Sequence, residues 1–218
     1  MKLFGRAAFL TVLAFSLQAA IIYDNTVGAP VDTDPVLGLG PLYDSFTSPY
    51  GAQITGLALI PSGNGNFGGS LNVGLYADQS TTPGPLIANL GTLSDSLLST
   101  SLATYDIALT TNLLLAAGTR YWIGLSGITS TNWSFSDDLT GPGVSGEFFS
   151  NQLGTFSNED GPYQMRLTAD LASAIPEPGS FILVFAAAGL LGIGQSRSAD
   201  RLRAGRQSRR APERFRLG

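Results

Sequence analysis

Apolar and polar side chains alternate along the middle of this chain with a period of two. Over residues 70–77, Leu71, Val73 and Leu75 fall on one face, with Asn72, Gly74 and Tyr76 on the other. Tyr121, Ile123 and Leu125 alternate with Trp122, Gly124 and Ser126, and Trp133 and Phe135 with Asn132, Ser134 and Ser136. The cleanest run sets Met165, Leu167, Ala169 and Leu171 against Gln164, Arg166, Thr168 and Asp170. Successive side chains of a strand point to opposite faces, so this pattern predicts strands with one buried face. Residues 53–60, 85–91, 102–109 and 144–149 are further candidate strands. Turn chemistry separates them: Pro61-Ser62-Gly63-Asn64-Gly65, Thr82-Pro83-Gly84, Ala117-Gly118-Thr119, Gly141-Pro142-Gly143 and Asp160-Gly161-Pro162. No segment between the two termini sustains a helical period. Short strands with Gly/Pro turns predict an all-β domain, an antiparallel β-sandwich of jelly-roll type.

The two ends break the pattern. Residues 1–20 carry Lys2 and Arg6, an apolar stretch from Ala7 to Leu17, and small residues at Ala19 and Ala20, the layout of a secretory signal peptide. The exported domain is expected over residues 21–175, and a sorting segment over 176–218. Within that segment Pro176-Glu177-Pro178-Gly179 precedes an apolar run at 180–194 and an arginine-rich tail at 195–218. The two prolines lack amide donors and fix φ, so the motif is an extended strip that no helix runs through. The apolar run, as a transmembrane helix, is about 22 Å long, against roughly 30 Å of hydrocarbon. Insertion is therefore marginal. Arg197, Arg201, Arg203 and five further arginines, against Asp200 and Glu213, give the tail a charge of +6 and a stop-transfer role that keeps it cytoplasmic.

This order of motif, span and basic tail resembles the PEP-CTERM proteins of Gram-negative bacteria that make extracellular polysaccharide. The resemblance implies recognition by an exosortase, a membrane-embedded cysteine protease, and removal of the tail. The chain would be transiently membrane-anchored through its C-terminal helix and then reach the cell surface or medium. One departure is the tail's length, 24 residues after Gly194. Five phrases of the exported part resemble the choice-of-anchor R domain: Tyr23-Asp24-Asn25, Gly40-Pro41-Leu42-Tyr43-Asp44-Ser45-Phe46, Leu75-Tyr76-Ala77-Asp78, the run from Thr119 to Leu125, and Asp160-Gly161-Pro162-Tyr163-Gln164-Met165. That resemblance implies an extracellular β-domain without an assigned activity.

Charge narrows the choices. Residues 21–175 hold two basic side chains, Arg120 and Arg166, against thirteen acidic ones, a net charge of −11. Such a surface disfavours nucleic acid and anionic polymers, and favours divalent cations. Cysteine and histidine are both absent, which removes disulfides, Cys/His zinc sites and Ser-His-Asp or Cys-His catalysis. The chain is expected to be a non-enzymatic surface or extracellular-matrix protein, associated with extracellular polysaccharide or biofilm. Two alternatives stand beside this: a carbohydrate-binding module, and a single-pass anchored β-domain that is never processed. For sugar stacking the candidates are Trp122 and Trp133, with Tyr76 and Tyr163 beside them. A glycoside hydrolase needs paired carboxylates across a cleft, and Asp137, Asp138, Glu147, Glu159 and Asp160 are the clustered supply. No cofactor is expected. Calcium is the one metal the composition suits, with Asp137, Asp138, Glu159 and Asp160 as candidate ligands.

Overall fold

The computed structural model describes residues 19–63 and 68–171. Most of the expected signal peptide, the motif Pro176 to Gly179, the span at 180–194 and Arg197, Arg201 and Arg203 lie outside these residues. Among the described residues no helix is long and apolar enough to cross a membrane.

The described chain is mostly antiparallel strand. In order these are β1 (Ala19–Asp24), β2 (Asp32–Pro35), β3 (Leu42–Ser48), β4 (Ala52–Leu59), β5 (Pro61–Ser62), β6 (Ser70–Asp78) and β7 (Pro83–Ser94). Then follow β8 (Tyr105–Asp106), β9 (Leu114–Leu115), β10 (Thr119–Ser126), β11 (Asn132–Phe135), β12 (Phe148–Asn151), β13 (Gly154–Ser157) and β14 (Met165–Leu171). One sheet runs β1-β14-β4-β8, with β9 also on β4; a second runs β13-β12-β3-β10-β6-β7; a third, of three strands, runs β2-β11-β5.

The alternating runs behave as the physics of a half-buried strand requires. Leu71, Val73 and Leu75 of β6 are buried, as are Met165, Leu167 and Ala169 of β14, and both sets join one apolar cluster with Ile54, Leu57, Ile123 and Leu125. The inner faces of the two larger sheets thus share a single core, a sandwich-like arrangement. Burying a leucine or isoleucine side chain is worth about 1.5–3 kcal/mol. With cysteine absent from the chain, this burial is what holds the sheets together.

Four expectations shift. The strand expected over 102–109 is regular only at Tyr105–Asp106; beyond it, Ile107 still donates to the Leu57 carbonyl at 2.8 Å and Thr110 to Leu90 at 2.9 Å. The strand expected from 144 begins at Phe148, because Gly143 and Gly146 take positive φ and spend those residues on a turn. Pro61 and Ser62, read as turn, form a short strand. The fourth shift is at the N-terminal edge, where Ala19 and Ala20 already pair with Asp170 and Ala169. These two residues lie on the signal side of the expected boundary.

Candidate functional site

The outward face of the six-stranded sheet carries the chemistry most suited to binding. The register places Gly74 of β6 opposite Gly124 of β10, and Gly124 opposite Tyr43 of β3. One row therefore has two strands without side chains, and the rings of Tyr43 and Tyr76 occupy the space above them. A Cβ built on Gly124 would stand 2.5 Å from each ring. Glycine is required here for close approach. The two rings meet edge to face with centroids 5.1 Å apart, a favoured aromatic geometry. Burial first, and then the neighbouring Tyr76, push the Tyr43 phenol up to about 12.

Beside the tyrosines lies a trough of about 460 Å³. Its lining comprises Asn72, Asn89, Thr92, Thr110 and Ser126 together with Tyr76, Leu86 and Gly91. Asn72, Asn89, Thr92 and Thr110 are exposed. The side-chain hydroxyl of Thr110 donates to the main chain of Asn89 and Leu90 at 3.2 Å each, which ties the loop after β8 to β7. Amides and hydroxyls each offer both donor and acceptor groups, and none of the lining residues is charged. In a domain of net charge −11, that neutrality is a local exception.

The tryptophans are a correction. Trp122 and Trp133 are both 0% exposed, so neither offers a face to a sugar. Trp133 stacks on Tyr163 with centroids 4.8 Å apart and donates its indole N–H to the Gln164 carbonyl at 2.9 Å. Trp122 belongs to the outward face, but its indole N–H is held by Asp78 Oδ1 at 2.9 Å. Tyr163 is fully buried as well, leaving Tyr76 as the half-exposed member of the four.

The acidic candidates do not converge. Among the described residues no group of three or more carboxylates is placed to hold a metal ion. Asp137, Glu159 and Asp160 are exposed. Asp138 Oδ1 accepts from the Thr140 amide at 2.9 Å and from its hydroxyl at 2.6 Å, and these bonds hold its carboxyl below the usual range. Glu147 is buried and fully engaged. Its Oε2 accepts from Ser45 at 2.6 Å and from Arg120 Nε at 2.8 Å, and its Oε1 accepts from Thr47. The Arg120 guanidinium also lies over the Phe148 ring at 4.9 Å.

Two buried polar side chains lie in phrases that the sequence singled out without assigning them a role. Asp44 projects into the core from β3, 0% exposed, and accepts the Tyr23 hydroxyl at 3.0 Å on Oδ2. Burial raises its pKa well above the ordinary carboxyl value; the Tyr23 hydrogen bond pulls it back in part, and Glu147 adds to the rise. The other is Asn25, whose side chain donates to the Tyr163 carbonyl at 2.7 Å and accepts from the Met165 amide at 2.7 Å, fixing the chain where β1 leaves the sheet.

A comparison with models of known protein families finds no match to this chain, and no curated protein matches it.

Proposed function

We propose that this chain is an exported, non-enzymatic surface domain that binds neutral polysaccharide in the trough beside Tyr76. The observation that carries the reading is the trough's chemistry: neutral amides and hydroxyls beside an aromatic ring, in an otherwise acidic domain. A sugar presents hydroxyls that both donate and accept, and an apolar C–H face that packs on an aromatic ring. An uncharged lining recognises such a polymer without demanding a counter-charge. Sites of this kind on an outward sheet face suit a jelly-roll sandwich, and the pairing of the first described strand with the last supports that finer description of the fold.

Delivery to the surface rests on the sequence at 176–218. The Pro176-Glu177-Pro178-Gly179 strip, the marginal span at 180–194 and the stop-transfer arginines support sorting by an exosortase, with release into a polysaccharide matrix or biofilm. Two measurements test the two halves. Intact-mass analysis of surface and medium fractions, with and without the exosortase, reads the sorting; an uncut chain reaching Gly218 in both strains would remove it. Titration of the full chain with neutral oligosaccharides reads the binding. Tyr76→Ala should weaken it by about tenfold, near 1.4 kcal/mol, while leaving the melting temperature within a few degrees. Equal affinity in both proteins would end the trough reading.

A further inference from the structure

A second concavity lies between the three-stranded sheet and the β12–β13 hairpin. It encloses about 300 Å³, room for one sugar ring. Phe149 and Phe156 face each other across the hairpin register and stack with centroids 5.3 Å apart. Phe149 also meets the buried Tyr163 edge to face at 5.6 Å, and Phe135 of β11 lines the cleft with them. These rings hold one another in place, so the apolar faces are preformed.

Two carboxylates share this cleft, Asp34 of β2 and Asp160 of the turn before β14, and no basic side chain lines it. Asp34 is fixed by its neighbours: Oδ2 accepts from the Tyr163 hydroxyl at 2.6 Å and from Asn151 Nδ2 at 3.2 Å. Both bonds fall on one oxygen, and Oδ1 accepts from no described residue. A carboxylate positioned in this way beside aromatic faces is complementary to an ammonium group, because both the fixed charge and the ring quadrupoles attract a cation.

We propose that this cleft binds a hexosamine unit bearing a free amino group, its ammonium paired with Asp34 and its ring against the half-buried Phe135 and Phe156. The choice of an amino sugar over another ammonium rests on the polysaccharide reading above, and on the fit of one pyranose to the volume. The domain would then hold a partly deacetylated polymer at two places, a neutral stretch in the trough and a cationic unit in the cleft.

The test titrates the full chain, purified in detergent, with a glucosamine tetramer and with its fully N-acetylated counterpart. The free-amine form should bind about tenfold more tightly, the loss expected for one charge-assisted contact. Asp34→Asn should abolish that preference, and Asp160→Asn, an exposed site whose variant will fold, should reduce it. Tyr76→Ala should leave it unchanged, so a failed trough and a failed cleft give different results. Three outcomes would overturn the proposal: equal binding of the acetylated tetramer, an intact preference in Asp160→Asn and Asp34→Asn alike, or tetralysine binding as tightly as the glucosamine tetramer. Release of new reducing ends during the titration would also overturn it, since two carboxylates across a cleft would then be cutting the polymer and not holding it.

Discussion

Replacing Asp44 by asparagine should leave stability nearly unchanged near pH 4 and make the variant progressively the more stable protein as pH rises toward the folded pKa of Asp44. Asp44 Oδ1 and Asn158 Oδ1 are both buried acceptors without a partner. Asn158 spends its amide protons on the Tyr23 hydroxyl at 3.2 Å and the Val144 carbonyl at 3.2 Å. A proton on Asp44 converts one orphan acceptor into a donor, consistent with the raised pKa that burial imposes. The folded state thus holds a proton that the unfolded chain releases near pH 3.9. Above that pH the unfolded state binds fewer protons, so this group's contribution is full below about pH 4 and is lost as pH rises toward the folded pKa. The loss is about 1.4 kcal/mol per pH unit across the interval, against a total of roughly 5–15 kcal/mol for a domain of this size. Asparagine keeps the volume, carries a donor at every pH and has nothing to titrate. Urea unfolding of both proteins from pH 3.5 to 7.5 measures the difference. Curves that coincide at the acid end and diverge by that slope support a protonated core carboxyl. Parallel curves over the whole range would refute it.

Three further substitutions probe the rest of the frame. Arg120→Ala strips the counter-charge from the buried Glu147 and should cost about 2–4 kcal/mol; adding Glu147→Gln should recover more than half, read as a double-mutant cycle in urea. Gly124→Ala drives a methyl group into the Tyr43 and Tyr76 rings. It should lower stability by about 1–3 kcal/mol and disturb neutral-glycan binding, measured by calorimetry, while an alanine at the exposed Gly68, which has open space around it, should do neither. Leu75→Ala empties a fully buried position and should cost about 2–5 kcal/mol in the same unfolding assay, without altering the affinity of the protein that remains folded.

How far the sequence disclosed this structure depended on whether each signal was local. Strands β6, β10 and β14 were legible because the core reads one face of each, and period two is visible within eight residues. Strand β3 was hidden. Its inward positions are Leu42, Asp44 and Phe46, and a carboxylate in phase with the apolar residues looks like the end of a strand. Three of the buried and half-buried hydrogen bonds join phrases singled out in the sequence: Tyr23 to Asp44, Asn25 to Met165 and Trp122 to Asp78. They stand out in sequence because buried polar groups each need a partner of fixed identity, which leaves less freedom than an apolar position has. Trp122 and Trp133 are buried and likewise held by hydrogen bonds, so aromatic content alone does not mark a sugar platform.

The trough and the cleft were illegible for the opposite reason. Asn72, Asn89, Thr92, Thr110 and Ser126 come from β6, β7, a loop and β10, and only the strand register brings them together. Asp34, Phe135 and Phe156 likewise meet from three separate strands. None sits in a local motif, since exposed amides and hydroxyls are ordinary on any solvent face of a sheet. What distinguishes them is a deficit visible only after folding. Thirteen carboxylates are spread over residues 21–175, yet none lines the trough, while two fall in the aromatic cleft. A surface made acidic for solubility alone would have no need to separate a neutral groove from a charged one. The same polymer chemistry accounts for both when its units differ in charge, and the two sites can be removed one at a time.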